Sequence, residues 1–169
     1  MSNLPRLTLV LGGARSGKSR YAEELLMRAP PPWTYVATAE AFDDEMRDRI
    51  AHHRARRDDR WQALDAPLAL AATIPTLQGP SLIDCLTLWL SNTMLAERDV
   101  EAETANLVAA LSAAPGPIVA VSNEVGLGLV PETPLGRAFR DAQGRLNQKV
   151  AAAADRVVFM AAGLPLNLK

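Results

Sequence analysis

The chain has 169 residues, of which 49% are hydrophobic and 22% are charged, and its formal net charge is −1. This composition is typical of one folded domain, here 1–169, and the near-neutral charge argues against broad electrostatic binding to nucleic acid. No apolar stretch approaches the ~20 residues of a membrane span, and no signal-peptide cleavage pattern is present. The single cysteine, Cys85, excludes an intrachain disulfide and lies in an apolar run. We therefore expect a cytoplasmic protein with a buried thiol.

Short apolar runs alternate along the chain with helical patterns. The predicted strands are 7–11, 34–38, 81–86, 117–122 and 156–162, with an edge strand at 164–168. The predicted helices are 18–29, 43–57, 67–73, 88–112 and 134–153. Nearly continuous apolar strands separated by helices indicate a parallel sheet covered on both faces. The pattern therefore predicts a three-layer α/β fold with a mostly parallel central sheet flanked by helices.

A segment that fits the pattern G-x-x-x-x-G-K-[ST] stands between the first predicted strand and the first predicted helix. Its residues are Gly12, Gly13, Ala14, Arg15, Ser16, Gly17, Lys18 and Ser19. Glycines allow a tight turn that points N–H groups at phosphate oxygens, and the next helix adds its positive N-terminal end. Lys18 is predicted to reach the β- and γ-phosphates, and the Ser19 hydroxyl to ligate Mg²⁺. The segment predicts a P-loop NTPase of the RecA-like type.

A magnesium site of this kind also needs a carboxylate at the end of a nearby strand. Asp84, in the stretch SLIDC, closes an apolar run and is the best candidate for this Walker-B-like role. A strand-end aspartate can instead cap a turn, and this alternative stays open. Ser19 and Asp84 are therefore the predicted metal ligands, and Mg²⁺ is the predicted metal.

Two adjacent histidines lie on the predicted helix 43–57. Met46 and Ile50 form its apolar stripe, and His53 continues that stripe three residues after Ile50. Because adjacent helical residues lie ~100° apart, His52 falls on the polar face instead. An imidazole near a triphosphate can attack phosphorus as a nucleophile. From the pattern alone, His52 is either such a nucleophile or an ordinary solvated residue.

The last third of the chain begins at the carboxyl end of a predicted strand, where ligands bind in open parallel sheets. Asn123 and Glu124 stand there, followed by a glycine-containing loop whose backbone can approach a ligand closely. An ordinary connection between a strand and a helix is an equal alternative. The next helix carries charges that fit surface or subunit contacts as well as ligand contacts: Arg137, Arg140, Asp141 and Arg145.

Several stretches together resemble one family. They are GGARSGKSRYAE, YVATAEAFDDEMRDRIAHHRARR, DCLTLWLSN and the run from VSNEVGLGLVPE to LPLNLK. This combination resembles the bifunctional adenosylcobinamide kinase/adenosylcobinamide-phosphate guanylyltransferases of adenosylcobalamin synthesis, over essentially the whole chain. The segment 93–116 has little to match, and we assign no function to it.

The resemblance implies two successive reactions. A nucleoside triphosphate, ATP or GTP, first phosphorylates the terminal hydroxyl of the aminopropanol arm of adenosylcobinamide. GTP then donates GMP to that phosphate through a GMP–histidine intermediate, giving adenosylcobinamide-GDP and pyrophosphate. The family's histidine is the first of the HH pair and falls on His52, which helical spacing also singles out.

The resemblance also implies the remaining site residues. His52 and Lys18 are the catalytic residues, and Thr38, Arg56 and Asp65 match nucleotide contacts of the family. Many members have Glu where this chain has Asp65, and a carboxylate there can accept hydrogen bonds from guanine N1–H and N2–H₂. The family also implies a homo-oligomer, with a trimer expected.

Two other functions compete with this interpretation. The first is a P-loop kinase of a small metabolite without guanylyltransferase activity, which would need no nucleophile at His52. The second is a RecA-like ATPase that depends on nucleic acid. The net charge of −1 and the 5% of aromatic residues argue against the second, because single strands bind basic grooves with aromatic stacking platforms.

Overall fold

The structure is a computed structural model that describes residues 4–40, 44–55 and 57–169. Its strands are β1 (Leu7–Gly12), β2 (Trp33–Ala37), β3 (Trp61–Asp65), β4 (Ser81–Asp84), β5 (Ile118–Asn123), β6 (Arg156–Ala161) and β7 (Leu164–Asn167). Its helices are α1 (Lys18–Leu26), α2 (Asp44–Ala55), α3 (Leu70–Thr73), α4 (Leu86–Leu95), α5 (Val100–Ala113) and α6 (Pro134–Ala153), with a 3₁₀ turn at Ile74–Thr76.

All seven strands join one sheet in the order β3-β2-β4-β5-β1-β6-β7. Every neighbouring pair is parallel except β6 and β7, which are antiparallel. Parallel neighbours need crossover connections, and helices supply them here. The predicted α/β class with a mostly parallel central sheet is therefore confirmed.

Two hydrophobic clusters lie on opposite faces of the sheet. Along β1, Leu9 belongs to the cluster that contains residues of α3 to α6, while Val10 belongs to the cluster that contains residues of α1. This alternation follows from the period of two in a strand. Trp89 of α4 is fully buried in the first cluster. The sheet is thus covered on both faces, as the apolar strands predict.

The strand registers bring the predicted site residues to one edge of the sheet. Ala37 of β2 is the partner of both Asp65 on β3 and Asp84 on β4. Gly12, which ends β1, is the partner of Asn123 on β5. The carboxyl ends of these strands therefore form one continuous edge, where ligands bind in open parallel sheets.

The structure differs from the predicted elements most clearly at three places. The strand β3 was absent from the prediction, because its residues are half-buried or exposed and show no apolar run. The single predicted helix 88–112 is two helices, since Glu97 adopts a positive φ of 53° and the Asp99 side chain caps α5. The first helix ends at Leu26, three residues before the predicted end at 29.

The structure confirms the expected buried thiol. Cys85 is buried, and this burial raises the pKa of its thiol to about 11. No helix in residues 4–40, 44–55 and 57–169 combines the length and the apolar character that crossing a membrane requires.

Candidate active site

The phosphate loop runs from the end of β1 to the start of α1. Gly17 caps α1 in the left-handed conformation, with φ 90°, which a glycine adopts at no steric cost. The Tyr21 N–H donates to the Gly17 carbonyl as the first bond of the helix. The amides before Tyr21 have no acceptor within the helix, so they are available to an anion.

Gly12 stands where the loop passes closest to β6. A Cβ at this position would collide with the Ser16 hydroxyl and lie 2.9 Å from the Met160 carbonyl oxygen. Ser16 in turn accepts a hydrogen bond from the Gly163 N–H, 3.0 Å from its carbonyl oxygen. The turn between β6 and β7 therefore supports the phosphate loop through this hydrogen bond. The close contacts of a Cβ with Ser16 and Met160 require glycine at position 12.

The Ser16 hydroxyl has no hydrogen-bond partner among the described residues, although it is buried. A buried polar group without a partner costs about 1–3 kcal/mol, so such groups are rare in folded proteins. An oxygen of a bound phosphate would accept a hydrogen bond from this hydroxyl. The observation therefore fits a loop that is completed by a ligand.

Lys18 lies over the loop and close to the end of β4. Its Nζ donates to the Gly13 carbonyl oxygen at 3.0 Å. Burial lowers the pKa of this amine, while the neighbouring Cys85 and Asp84 act in the opposite direction. The ammonium and the Asp84 carboxylate thus belong to one electrostatic site, where a triphosphate with its metal ion would stand.

Asp84 ends β4 and receives a hydrogen bond that the sequence did not predict. The Tyr35 hydroxyl donates to Asp84 Oδ2 at 3.2 Å. Burial is the main cause that raises the pKa of the Tyr35 phenol, with the Asp84 charge second. The phenol therefore stays protonated and acts toward this carboxylate as a donor.

Arg57 packs against the other side of this contact. Its guanidinium carbon lies 3.2 Å from the centroid of the Tyr35 ring, and its Nη2 lies 3.1 Å from Glu23 Oε1 on α1. The sequence pattern did not predict this contact of Arg57, which lies at the end of the predicted helix 43–57. One signal in the sequence pointed to such a cluster: the hydroxyl of a tyrosine on a buried strand usually needs a hydrogen-bond partner.

Thr38 follows β2 and is fully buried. Its hydroxyl oxygen lies 2.6 Å from the Cys85 carbonyl oxygen, to which it donates, and accepts from the Cys85 N–H at 2.8 Å. Asn92 Nδ2 donates to the Thr38 carbonyl at 2.8 Å. Thr38 therefore fixes the backbone next to Asp84, and its direct contact with a nucleotide stays a prediction.

Of the residues assigned to guanylyl transfer, the structure places Asp65 on β3 at the edge of the sheet. Asp65 ends the edge strand β3 and is exposed. His52 belongs to the last turn of α2, and its side chain lies outside the described part of the structure, as does that of His53. Arg56 lies outside the described residues altogether. Their roles stay predictions.

The carboxyl end of β5 combines a polar cluster with an exposed loop. Asn147 Nδ2 donates to the Asn123 carbonyl at 3.0 Å, and the Glu124 N–H donates to the Gly12 carbonyl at 3.0 Å. In the loop after Glu124, Leu127 and Leu129 are 83% and 96% exposed. The polar cluster fixes the edge of the phosphate loop, while the loop after Glu124 remains accessible to solvent.

The charged residues of α6 have local contacts. Arg137 Nη1 donates to the carbonyl oxygens of Pro131 and Glu132, at 3.0 and 2.8 Å, and so ties the loop to the helix. Arg140 pairs with Asp141 at 3.3 Å on the surface. These contacts favour the structural alternative for both arginines over ligand binding.

A magnesium ion fits the residues present. No group of three or more His, Cys, Asp or Glu side chains capable of holding a metal occurs in the described part of the chain. Mg²⁺ seldom needs such a cage, since it is usually bound by one or two carboxylates, waters and substrate phosphates. Asp84 at the strand end and Ser19 at the start of α1 meet this requirement.

A phosphate loop between β1 and α1, on a parallel sheet with an aspartate at the end of β4, defines a P-loop NTPase fold. The RadB recombinase shares this fold with a TM-score of 0.53 and 15% identity, over 92% of this chain and 74% of that chain. The family described as cobinamide kinase / cobinamide phosphate guanyltransferase matches residues 8–168. The chain belongs to this family.

Two curated relatives agree with this assignment. The bifunctional adenosylcobalamin biosynthesis protein CobP of Pseudomonas aeruginosa is 48% identical over 166 residues, which cover 95% of this chain and 96% of that protein. The protein CobU of Salmonella typhimurium, with the same description, is 39% identical over 96% of this chain and 99% of its own length. The resemblance predicted from the motifs is therefore confirmed across the whole chain.

Proposed function

We propose that this chain is a bifunctional enzyme of adenosylcobalamin synthesis that phosphorylates adenosylcobinamide and then guanylylates the product. The observation that carries the proposal is the phosphate loop of a family member, in which the buried Ser16 hydroxyl has no partner among the described residues and Lys18 lies beside Asp84. A loop of this kind holds a triphosphate, and the family description names the two acceptors as cobinamide and its phosphate.

In the first reaction, the hydroxyl oxygen of adenosylcobinamide attacks the γ-phosphorus of ATP or GTP. The bond between this phosphorus and the β–γ bridging oxygen breaks, the nucleoside diphosphate leaves, and the hydroxyl proton is lost. The amides of the loop and the Lys18 ammonium stabilise the charge on the phosphate oxygens. Ser19 and Asp84 would hold Mg²⁺, which neutralises further charge on the triphosphate when it is bound.

In the second reaction, a ring nitrogen of His52 attacks the α-phosphorus of GTP, and pyrophosphate leaves. A phosphate oxygen of adenosylcobinamide phosphate then attacks the same phosphorus. The phosphorus–nitrogen bond breaks, His52 is regenerated, and adenosylcobinamide-GDP forms. The two displacements replace one difficult step by two easier ones, because imidazole is both a good nucleophile and a good leaving group. Thr38, Arg56 and Asp65 are the proposed contacts with the nucleotide in this reaction.

Retention of label from α-labelled GTP tests the transferase half of the proposal. With Mg²⁺ present, we expect acid-labile label on the denatured wild-type protein and none on His52→Ala. The matched control is His53→Ala, which removes the neighbouring imidazole and should retain the label. Transfer of γ-label to adenosylcobinamide measures the kinase half separately.

The outcomes separate the competing functions. Kinase activity without any retained label would favour the P-loop kinase that lacks guanylyltransferase activity. Absence of both would contradict the proposal as a whole. The homo-oligomer, with its expected trimer, and the cytoplasmic location stay predictions, and light scattering would test the trimer.

A further inference from the structure

A continuous set of contacts leads from the helix of the phosphate loop to the carboxylate at the end of β4. Glu23 of α1 pairs with Arg57, Arg57 stacks on Tyr35, and Tyr35 donates to Asp84. We refer to Glu23, Arg57 and Tyr35 as the tyrosine clamp. None of these three residues belongs to the predicted site, yet the last contact ends on a proposed metal ligand.

The clamp is buried at its centre. The Arg57 side chain is 7% exposed and that of Glu23 is 18% exposed, while Tyr35 is buried among the core residues of β2. A charged pair removed from water needs good geometry and further partners to offset desolvation. The Tyr35 ring supplies such a partner, because its face attracts a cation. Arg57 is therefore held at a fixed place against the ring.

The hydroxyl of Tyr35 makes a contact that packing of the ring alone does not require. A phenylalanine would pack equally well against Arg57 and against Trp61, whose ring centroid lies 6.5 Å from that of Tyr35. The oxygen instead meets Asp84 Oδ2 at 3.2 Å and fixes the rotation of the carboxylate. Groups that bind a ligating carboxylate in this way orient it toward its metal.

We propose that Tyr35 is a positioning residue for the Asp84 carboxylate and that Arg57 holds the Tyr35 ring in place. The phenol engages Oδ2 of the carboxylate, and the other oxygen would then be the one that ligates Mg²⁺. This inference rests on the proposed function, because that function requires the metal–triphosphate site. Arg57 also follows the end of α2 by two residues, so the clamp joins the chain that leaves the His52 helix to the phosphate-loop helix.

The test compares Tyr35→Phe with Tyr21→Phe. These are the two tyrosines of the chain, and the Tyr21 hydroxyl pairs with Arg156 at 3.3 Å, away from Asp84. Calorimetry would measure the affinity for a non-hydrolysable GTP analogue with Mg²⁺ and with EDTA. The gain in affinity that Mg²⁺ provides should fall about tenfold in Tyr35→Phe and stay at the wild-type level in Tyr21→Phe. Binding in EDTA should be equal in all three proteins.

A second pair of variants tests the role of Arg57. Arg57→Met should reduce the Mg²⁺-dependent gain in the same direction, and combining it with Tyr35→Phe should add little, since Arg57 acts through the phenol. Arg60→Met is the matched control, because Arg60 also stacks on a ring, Trp33 at 4.9 Å, and pairs with Asp58. It should leave the gain unchanged. If Tyr35→Phe fails to fold, the comparison of Arg57→Met with Arg60→Met tests the proposal by itself.

A measurement without metal or nucleotide checks the contact itself. In EDTA, the urea midpoints of Tyr35→Phe, Asp84→Ala and the double variant should be non-additive, as expected for two groups in direct contact. Additive midpoints would overturn the proposal.

The binding outcomes distinguish the clamp from the function on which it rests. Should the wild type gain affinity from Mg²⁺ while Tyr35→Phe keeps the full gain, the positioning role is wrong and the proposed function stands. If the wild type binds the GTP analogue equally well with Mg²⁺ and with EDTA, the metal site is contradicted. The positioning role of Tyr35 is then wrong as well.

Discussion

Two regions of the molecule contain the residues that we propose for the two reactions, and they differ in their place in the sheet and in their burial. The phosphate-loop region consists of the loop at 12–19 and Asp84, on strands in the middle of the sheet. The transfer region consists of α2, which contains His52, and the end of β3 at Asp65. All six residues of β1 are buried, whereas none of the five residues of β3 is.

The distance between the two regions follows from the strand order. Three strands separate β3 from β1, so four spacings of ~4.8 Å place Asp65 on the order of 19 Å from the phosphate loop. The residue proposed to contact guanine and the loop proposed to hold the triphosphate are therefore separate parts of this edge. The difference teaches that variants can affect guanylyl transfer and leave triphosphate binding intact, and the following changes test this separation.

Lys18→Met should have the largest effect and should reduce both reactions. Removing one preorganised charge from the site is expected to lower kcat about 10³-fold in the kinase and in the transferase assay. Lys149→Met, which removes a lysine of α6 that pairs with Glu101 of α5, is the control and should retain both activities. Loss of only one activity would mean that the two reactions do not share the phosphate loop.

Thr38→Val should act mainly on stability. The Thr38 hydroxyl makes two hydrogen bonds to the Cys85 backbone, so we expect a loss of ~2 kcal/mol in the free energy of unfolding, about 30-fold in the folding equilibrium. Urea denaturation measures this loss. Thr34→Val, at a half-exposed position on β2, should stay within ~0.5 kcal/mol. An unchanged stability together with weaker GTP binding would instead support Thr38 as a direct nucleotide contact.

The two regions also differ in how far the sequence predicted them. The strand β1 and the loop after it were predicted because a buried parallel strand is a continuous apolar run and a phosphate loop has a fixed spacing. The strand β3 was missed because WQALD, at a sheet edge, shows neither signal. Asp84 was placed correctly at a strand end, since its preceding residues are buried on both faces.

The clamp shows what pattern reasoning cannot supply. Arg57 and Tyr35 are separated by the whole of α2, and neither belongs to a motif with a mechanism. The contact between Tyr35 and Asp84 arises because β2 lies next to β4 in the sheet. Such contacts depend on strand order, which one sequence does not encode in any local spacing.

Asp65→Asn should affect the transfer region alone. A carboxylate that accepts from guanine N1–H and N2–H₂ is lost, so we expect about tenfold weaker use of GTP as the GMP donor. The kinase reaction with ATP should be unchanged, because adenine does not offer these two donors. Asp59→Asn, an exposed neighbour before β3, is the control for the change of charge. An equal loss with ATP would place Asp65 outside guanine recognition.

Ser16→Ala should have the smallest effect, and it tests whether the phosphate-loop region is completed by its ligand. The Ser16 hydroxyl has no partner among the described residues, so removing it should not lower the free energy of unfolding. Triphosphate binding should weaken about fivefold, because one hydrogen bond to a phosphate oxygen is lost. Ser81→Ala should behave in the opposite way, since this buried hydroxyl donates to Gly79 at 2.8 Å, at the other end of β4. A Ser16→Ala variant that loses stability and keeps its affinity would show that this hydroxyl serves the fold rather than the nucleotide.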